Sequence, residues 1–272
     1  MLGLSSFVYR WAIGRSYYLP ENPMTPSHFI NAAVHHGVGS VMFCHNFPFE
    51  TYSRAEVAAL SELCRRYGLQ VEMGARGSDP AYFNQLLEIS DQMGAHVLRL
   101  TLDVNRTNKA EIPKELMRVR NCLESILPLA RNYGISLAIE NYIDLPSPEI
   151  VDIIQYFHDP LIGVCYDSAN SILGFENSVE TARLLAPYTI TAHFKDVKTI
   201  LDPRGNMIQG TALGDGMVDF LAIMEIFRKN NFQGCIHLEL YIDRMDDPLE
   251  TLVWEEMCVE RSLMYARQVL RL

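Results

Sequence analysis

Four residues with metal-binding side chains stand at or near the ends of apolar runs in the second half of the chain. They are Glu140, Asp167, His193 and Glu239. Three carboxylates buried side by side would repel one another and raise their own pKa values unless a cation lies between them. Three oxygen donors with one imidazole suit Mn²⁺, Mg²⁺ or Co²⁺, and suit Zn²⁺ less well because no thiolate completes the set. The pattern therefore predicts one divalent metal site.

Eight short apolar runs are predicted to be the strands that carry these residues. They comprise residues 2–7, 39–44, 70–74, 96–102, 136–140, 162–167, 189–196 and 235–241. Each is followed by an amphipathic helical pattern with a start signal, such as the capping box at Ser53, or a glycine stop, such as Gly134. No linker-like tract interrupts the repeat. We therefore predict an α/β chain that forms a single-domain (β/α)₈ TIM barrel over residues 1–272, with an open doubly wound sheet as the alternative.

In such a barrel the carboxyl ends of all strands face one shared mouth. A single acidic residue at a strand end is usually a helix cap or a solvated loop residue. Four chemically matched residues on four successive strands instead favour one composite site.

The charge and the composition of the chain limit the classes of binding partner that it can have. The 272 residues include 23 Lys and Arg against 33 Asp and Glu, a formal net charge of −10, and no basic cluster, so no nucleic-acid partner is expected. No apolar run approaches the roughly 18–20 residues that span a membrane. The six cysteines are scattered without a CxxC pair, which predicts reduced, buried thiols and a cytoplasmic protein.

Five motifs together carry a family resemblance. They are Ile139-Glu140-Asn141, Tyr166-Asp167-Ser168-Ala169-Asn170, His193-Phe194-Lys195-Asp196, Gly214-Asp215-Gly216-Met217-Val218-Asp219 and His237-Leu238-Glu239. This set resembles the xylose isomerase-like TIM barrels over essentially the whole chain. That superfamily includes sugar phosphate isomerases and epimerases, ketose 3-epimerases, inosose isomerases and dehydratases, and hydroxypyruvate isomerases.

The resemblance implies that Glu140, Asp167, His193 and Glu239 bind one divalent metal ion, usually Mn²⁺. It also implies that Glu140 and Glu239 flank the substrate as a catalytic acid/base pair. Many members carry histidine three residues after the sixth-strand aspartate, where this chain has Asn170. Together with the acidic net charge, that departure argues against DNA cleavage of the endonuclease IV type, which also occurs in this superfamily.

A second, narrower resemblance concerns the amino-terminal region. Phe7-Val8-Tyr9-Arg10-Trp11 and His45-Asn46-Phe47-Pro48 resemble a branch connected with sugar-acid catabolism, in which 3-oxo-isoapionate decarboxylase is one activity. Tyr9, Trp11, Phe47 and Tyr142 are predicted to supply an aromatic wall for the C–H faces of a sugar, with plain packing as the alternative, and His45 is predicted to contact the substrate.

Three further residues are predicted to contact substrate from the barrel strands. Lys195 lies two positions after His193, so strand alternation turns both inward, where the lysine would steady an oxyanion or a substrate carboxylate. Asn170 would hydrogen-bond a substrate hydroxyl, and Arg99 would orient the carboxylates from the fourth strand. The alternative for Lys195 is a solvated strand-end side chain without a role. Asp196 is expected to face outward.

These observations predict a divalent-metal-dependent isomerase or epimerase that acts on a ketose, an inosose or a related polyhydroxy carbonyl compound through an ene-diolate. The alternatives are a dehydratase, a decarboxylase of a 3-oxo sugar acid, and a barrel that binds sugar without turnover. The last helix holds apolar residues that look exposed, namely Leu252, Trp254 and Met257. Together with the usual state of family members, they predict a homo-oligomer, either a dimer or a tetramer.

Overall fold

The computed structural model describes residues 1–272 and contains ten strands. These are β1 (Leu2–Ser5), β2 (Ser40–Phe43), β3 (Gln70–Gly77), β4 (Val97–Leu102), β5 (Ser136–Glu140), β6 (Ile162–Asp167), β7 (Thr189–Phe194), β8 (Asp196–Asp202), β9 (Gly205–Thr211) and β10 (Ile236–Leu238). All strands except β8 and β9 pair in parallel and close into a barrel in the order β1-β10-β7-β6-β5-β4-β3-β2. The predicted (β/α)₈ barrel is confirmed, and the open sheet is wrong.

Helices connect the strands and cover the outside of the barrel. They are α1 (Arg10–Ile13), α2 (Pro26–His35), α3 (Arg54–Arg66), α4 (Pro80–Met93), α5 (Ile112–Tyr133), α6 (Ser147–Phe157), α7 (Asn170–Leu173), α8 (Ser178–Leu185), α9 (Phe220–Lys229) and α10 (Pro248–Gln268). Short 3₁₀ turns lie at Ser6–Tyr9, Phe49–Thr51, Lys109–Glu111 and Ala186–Tyr188.

Local sequence signals account for many helix ends. The Ser53 side chain accepts the backbone N–H of Glu56, whose carboxylate in turn accepts the Ser53 N–H, so the predicted capping box is formed. Gly94 and Gly134 end α4 and α5 in the left-handed conformation, with φ of 71° and 68°. A side chain is rarely tolerated in this conformation, so a glycine here both stops the helix and starts the turn into the next strand.

The first strand is shorter than predicted. It ends at Ser5, not at residue 7, because the Ser5 side chain accepts the backbone N–H of Phe7 and caps a 3₁₀ turn over Ser6–Tyr9. The helix α1 follows directly. The side chains after Ser5 therefore follow a helical path and do not alternate as they would in a strand.

The seventh strand also differs from the prediction. It ends at Phe194, and Asp196 begins an antiparallel hairpin of β8 and β9 inside the seventh βα connection. The turn is Asp202-Pro203-Arg204-Gly205, in which the Asp202 carboxylate accepts the Arg204 N–H at 3.0 Å and Gly205 has φ of 125°. Proline and glycine at these positions are a turn signal in the sequence that our prediction missed.

The lower part of the barrel interior is polar. Nε2 of His237 lies 2.9 Å from the Ser40 hydroxyl, and the Thr191 hydroxyl donates to the Glu72 carboxylate at 2.7 Å. Gly3 lies against this layer, and only glycine fits there because a Cβ atom would lie 2.6 Å from the His237 ring. These side chains are buried and hydrogen-bonded inside the barrel.

No helix has the length and apolar character needed to cross a membrane. All six cysteines are buried and unpaired, as the sequence predicted.

The buried Glu72 predicts a pH-dependent contribution to stability. Burial raises the pKa of Glu72 from 4.5 to about 7. A carboxyl group with a raised folded-state pKa favours the folded state at low pH and loses this contribution as the pH rises through about 7. Glu72→Gln keeps an acceptor for Thr191 without a titrating group. Relative to wild type, the variant should gain about 1–3 kcal/mol of unfolding free energy between pH 5 and pH 8, measured by denaturant unfolding.

The matched control is Glu88→Gln, which changes an exposed carboxylate on α4. Its stability relative to wild type should stay constant over the same pH range. An unchanged difference between Glu72→Gln and wild type from pH 5 to pH 8 would contradict the raised pKa.

The homo-oligomer remains a prediction, and α10 offers the surface that tests it. Of the three residues singled out from the sequence, Met257 is exposed, whereas Leu252 and Trp254 pack partly against the core. Leu249, Val253 and Met257 recur every four residues on one face of this helix and are 74%, 61% and 47% exposed. We expect a dimer or tetramer in sedimentation velocity at micromolar concentration and a smaller species for Val253→Asp/Met257→Asp. The control Leu221→Asp, on the exposed face of α9, should leave the assembly unchanged. A wild-type monomer would contradict the prediction.

Candidate metal centre

Four neighbouring strands bring the predicted donor residues together. Glu140 ends β5, Asp167 ends β6, His193 lies in β7 and Glu239 directly follows β10. These strands are adjacent in the closed barrel. The four side chains are buried, and their donor atoms all lie within 4.8 Å of one another. Metal–ligand bonds of about 2–2.6 Å allow one ion to reach donors this close.

The His193 imidazole lies between two of the carboxylates. Its Nδ1 atom is 2.9 Å from Oε1 of Glu140 and 3.1 Å from Oε2 of Glu239. Burial alone would lower the pKa of His193, but the neighbouring Glu239 carboxylate and the hydrogen bond to Glu140 raise it well above its usual value. The proton on this imidazole supplies positive charge between the carboxylates, and a metal ion bound to the ring nitrogen would take the place of that proton.

Asp167 has one oxygen bound to the backbone and one paired with a lysine. Its Oδ1 atom accepts the backbone N–H groups of Ala169 and Asn170 at 2.9 and 2.8 Å, at the start of α7. Its buried Oδ2 atom forms an ion pair with Nζ of Lys195 at 2.8 Å. Burial raises the pKa of Asp167, and Lys195 opposes this shift. A carboxylate oxygen paired with a single ammonium group, within a buried set of oxygen and imidazole donors, still has a lone pair for a divalent cation.

Arg99 stabilises Glu140 from the fourth strand. Its Nη1 atom lies 3.6 Å from Oε2 of Glu140 and also donates to the Thr101 hydroxyl, which donates to the same oxygen at 2.7 Å. Gly74 leaves the space for this guanidinium, because a Cβ atom there would lie 2.8 Å from Nη2 of Arg99. The structure thus brings Arg99 to the carboxylates that the sequence predicted it would orient.

Lys195 points inward beside the carboxylates. Its Nζ atom lies 3.2 Å from Oε1 of Glu239 and 3.0 Å from the side-chain oxygen of Asn170. Burial alone would lower the pKa of Lys195, but Asp167 and Glu239 raise it above its usual value. The lysine is therefore protonated at neutral pH, and the solvated alternative does not describe it.

Both glutamates are held in the ionised form. Burial alone would raise the pKa of Glu140, but Arg99 and His193 outweigh it and lower the pKa to about 2. Burial opposes ionisation of Glu239 as well, and there Lys195 and His193 keep the pKa well below its usual value. Each carboxylate therefore has lone pairs available for a cation or a proton.

A cavity of about 330 Å³ opens directly onto this cluster. Its walls include Arg99, Asn170, Lys195 and His45 among the predicted substrate contacts. Burial, with Arg99 and Arg76 nearby, lowers the pKa of His45 to about 3, so this imidazole is neutral. Its Nδ1 atom has no hydrogen-bond partner in the structure.

The structure does not place Tyr9 or Trp11 in the cavity. The Tyr9 hydroxyl lies 2.9 Å from Nε2 of His36, and the Trp11 indole N–H donates to the carbonyl of Ile242 at 3.0 Å. Both rings are buried. They turn away from the cavity because the chain leaves β1 at Ser5 and continues as a helix.

Sequence reasoning missed several residues that line the cavity. They include Arg10, Arg15 and Tyr241, whereas Tyr142 of the predicted aromatic wall does line the cavity and Phe47 does not. Arg10 stands inside the amino-terminal motif that the sequence had already singled out, between the two aromatic residues chosen from it. The motif therefore pointed to the correct segment, but the local sequence pattern does not predict in which direction each side chain after Ser5 points.

Asp196 shapes the mouth of the barrel from outside the metal cluster. Its buried carboxylate accepts the backbone N–H groups of Gly214 and Gly216 at 3.0 Å and of Val218 at 3.2 Å. A Cβ atom at Gly216 would lie 2.2 Å from the same carboxylate. This motif therefore fixes a loop and does not offer donors to the metal cluster.

The comparison with protein families agrees with the fold and the motifs. The model of the xylose isomerase-like TIM barrel family matches residues 30–259. The chain belongs to this family. Within the xylose isomerase-like TIM barrels, the 3-oxo-isoapionate decarboxylase of Pectobacterium atrosepticum is 24% identical over 266 residues, 97% of this chain and 94% of that protein.

Solved structures of the same architecture are more distant in sequence. A D-psicose 3-epimerase from Clostridium cellulolyticum H10, solved with D-tagatose, superposes with a TM-score of 0.76 at 14% identity and covers 99% of both chains. A xylose isomerase-like TIM barrel protein from Mycobacterium smegmatis in complex with magnesium gives a TM-score of 0.67 at 14% identity, over 97% of both chains. These two structures support the fold.

Asp167→Asn tests the metal centre. The amide oxygen can still accept the N–H groups of Ala169 and Asn170, while the amide nitrogen replaces Oδ2 and cannot ligate a cation. We expect Mn²⁺ affinity, measured by calorimetry, to fall about 100-fold or more, and EDTA to lower the melting temperature of wild type only. Asp103→Asn removes a carboxylate outside the cluster and should bind Mn²⁺ as wild type does. Equal affinity in wild type and Asp167→Asn would contradict the assignment.

Proposed function

We propose that this protein is a divalent-metal-dependent isomerase or epimerase that acts on a small polyhydroxy carbonyl compound. The observation that carries the proposal is the cluster of Glu140, Asp167, His193 and Glu239 at the base of the cavity, with donor atoms within 4.8 Å of one another. Mn²⁺ is the ion we propose first, with Mg²⁺, Co²⁺ and Zn²⁺ as alternatives.

A bound divalent cation would polarise the substrate carbonyl and acidify the neighbouring C–H bond. Glu140 and Glu239 both line the cavity and are ionised, so each can accept a proton at a carboxylate oxygen. In the proposed reaction one glutamate removes the proton next to the carbonyl, which yields an ene-diolate. The other glutamate returns a proton to the opposite face, which gives epimerisation, or to the adjacent carbon, which gives isomerisation.

Lys195 and Asn170 supply donors for the substrate oxygens. The protonated Nζ of Lys195 reaches the cavity beside Glu239 and is suited to stabilise negative charge as it develops on a substrate oxygen. The side-chain nitrogen of Asn170 is buried without a hydrogen-bond partner, while its oxygen accepts from Lys195. The amide N–H₂ group therefore has a donor available for a substrate hydroxyl.

The second candidate is a decarboxylase of a 3-oxo sugar acid. The full-length similarity to the 3-oxo-isoapionate decarboxylase of Pectobacterium atrosepticum favours it. In that reaction the enolate forms by loss of CO₂, so no glutamate needs to remove a proton from carbon. Lys195 and the same cavity would serve this reaction too, because both candidates develop negative charge on a substrate oxygen.

We also infer that the protein works in the cytoplasm and that it turns its ligand over. Six unpaired, buried thiols are typical of a reducing compartment. A barrel that only binds sugar would not need four buried donors around one point, together with two cationic side chains, Arg99 and Lys195, that hold the glutamates ionised.

Glu239→Gln separates the two candidates. The variant keeps a neutral oxygen donor of the same shape but loses the ability to accept a proton. For the isomerase or epimerase we expect Mn²⁺ content to fall modestly while turnover falls about 10²–10⁴-fold. A panel of ketoses, inososes and 3-oxo sugar acids with Mn²⁺ identifies the substrate, and NMR in D₂O locates the carbon that exchanges its proton with solvent.

The control for this comparison is Glu72→Gln, which changes a buried glutamate of the same barrel outside the cavity. It should retain both metal content and turnover. His193→Ala should lose metal first, and excess Mn²⁺ should restore part of its activity. Substantial turnover of a 3-oxo acid by Glu239→Gln, without deuterium exchange before CO₂ loss, would replace the isomerase proposal with the decarboxylase.

A further inference from the structure

The cavity carries more positive charge than the metal cluster uses. Five of its sixteen lining residues are arginine or lysine, whereas two are carboxylates. Arg99 and Lys195 lie against the buried carboxylates, and Arg76 pairs with Asp103 at 3.0 Å. Two guanidinium groups remain, and they belong to a protein whose formal net charge is −10.

Arg10 is one of these two. It is 4% exposed, its Nε atom has no hydrogen-bond partner, and no carboxylate lies within ion-pair distance of it. Its guanidinium carbon lies 4.2 Å from the ring centre of Tyr241 and 4.8 Å from that of Trp11. Contact with these two aromatic faces offsets only part of the free energy that is lost when a cation is removed from water. No carboxylate is close enough to the guanidinium group to offset the rest as an ion pair.

Hydrogen bonds to its neighbours in the chain fix the position of Arg10. The buried carboxylate of Glu255 on α10 accepts the backbone N–H groups of Trp11 and Ala12 at 2.7 and 2.9 Å. The indole N–H of Trp11 donates to the Ile242 carbonyl at 3.0 Å. Trp11 therefore holds the arginine in place, although its own ring does not reach the cavity. A group held in this way loses little further entropy when a ligand binds.

Arg15 is the second free guanidinium. It is half-buried, lines the same cavity and lies 5.7 Å from the ring centre of Phe7. The structure shows no ion pair for its side chain. Arg10 and Arg15 thus present two uncompensated cations to the same space that contains Glu140 and Glu239.

We propose that Arg10 and Arg15 form an anion subsite that binds an oxyanion group at the end of the substrate remote from the metal cluster. This inference rests on the proposed function and narrows it: the substrate is an acidic sugar derivative, with a carboxylate or a phosphate, and not a neutral sugar. The planar guanidinium fork matches the oxygens of either group. In the proposed reaction the substrate carbonyl lies at the metal cluster, so the anionic group at the other end of the substrate needs a separate binding place.

Matched ligands test the subsite by direct binding. D-fructose, D-fructuronate and D-fructose 6-phosphate share one carbon skeleton and differ in the terminal group, as do D-tagatose, D-tagaturonate and D-tagatose 6-phosphate. Calorimetry with the Mn²⁺-loaded protein should show that at least one acidic member binds about 10–100-fold more tightly than its neutral partner. The comparison of the acid with the phosphate ester reports which oxyanion the subsite accepts.

Variants assign the preference to the two arginines. Arg15→Gln should weaken the acidic member about 10-fold or more and leave the neutral member unchanged, and Arg15→Lys should restore part of the loss. Arg10→Lys keeps the buried charge and should weaken the acidic member as well, with folding checked by thermal unfolding. Arg66→Gln, an exposed arginine on α3, should bind every ligand as wild type does.

Two results would overturn the subsite. One is the absence of an acidic preference, seen either as equal affinity of the acidic and neutral ligands within each series or as no binding of any acidic ligand at millimolar concentration. The other is an acidic preference that survives in both Arg15→Gln and Arg10→Lys. Because these are binding measurements, the acidic preference remains measurable if the protein turns over none of the ligands. Failure of the proposed function and failure of the subsite are therefore distinguishable.

Discussion

The burial of three carboxylates at one end of the barrel is the constraint on which the rest of the structure depends. Glu140, Asp167 and Glu239 leave water together, and each would be protonated or destabilising without compensating charge. Arg99 and Lys195 hold two of them ionised, and Oδ2 of Asp167 is paired with Lys195. The side chains of the protein compensate much of this charge, and the lone pairs that remain on the clustered carboxylates mark where a divalent cation would bind.

The need to compensate buried polar groups also applies to the barrel interior below the cluster. Gly74 lacks a side chain where the Arg99 guanidinium lies, and Thr101 links that guanidinium to Glu140. Below them, Glu72 and His237 are also buried, but Thr191 and Ser40 satisfy part of their hydrogen-bonding capacity. The interior is therefore polar along much of its length. Positive charge near the mouth holds the clustered glutamates ionised, whereas the raised pKa of Glu72 in the layer below makes the stability depend on pH.

Two further buried carboxylates accept backbone N–H groups and do not take part in the donor cluster. Asp196 accepts N–H groups of the loop at Gly214–Val218, and Glu255 accepts those of Trp11 and Ala12. Each stabilises a backbone segment at the mouth of the barrel and offers nothing to the metal cluster. The segment held by Glu255 carries Arg10 into the cavity. Through α10, the carboxyl-terminal part of the chain thus sets the position of a residue near the amino terminus.

The sequence by itself determined the barrel and the residues that cluster at its mouth, because both depend on local signals. Apolar runs that follow a glycine at a helix end define parallel strands, and Glu140 and Asp167 end two of them, so their height in the barrel follows from their place in the strand. Only the tertiary structure decided that Arg10, and not Tyr9 or Trp11, faces the cavity. Beyond a strand end there is no alternation to read, and the direction of a side chain depends on packing against distant elements such as α10.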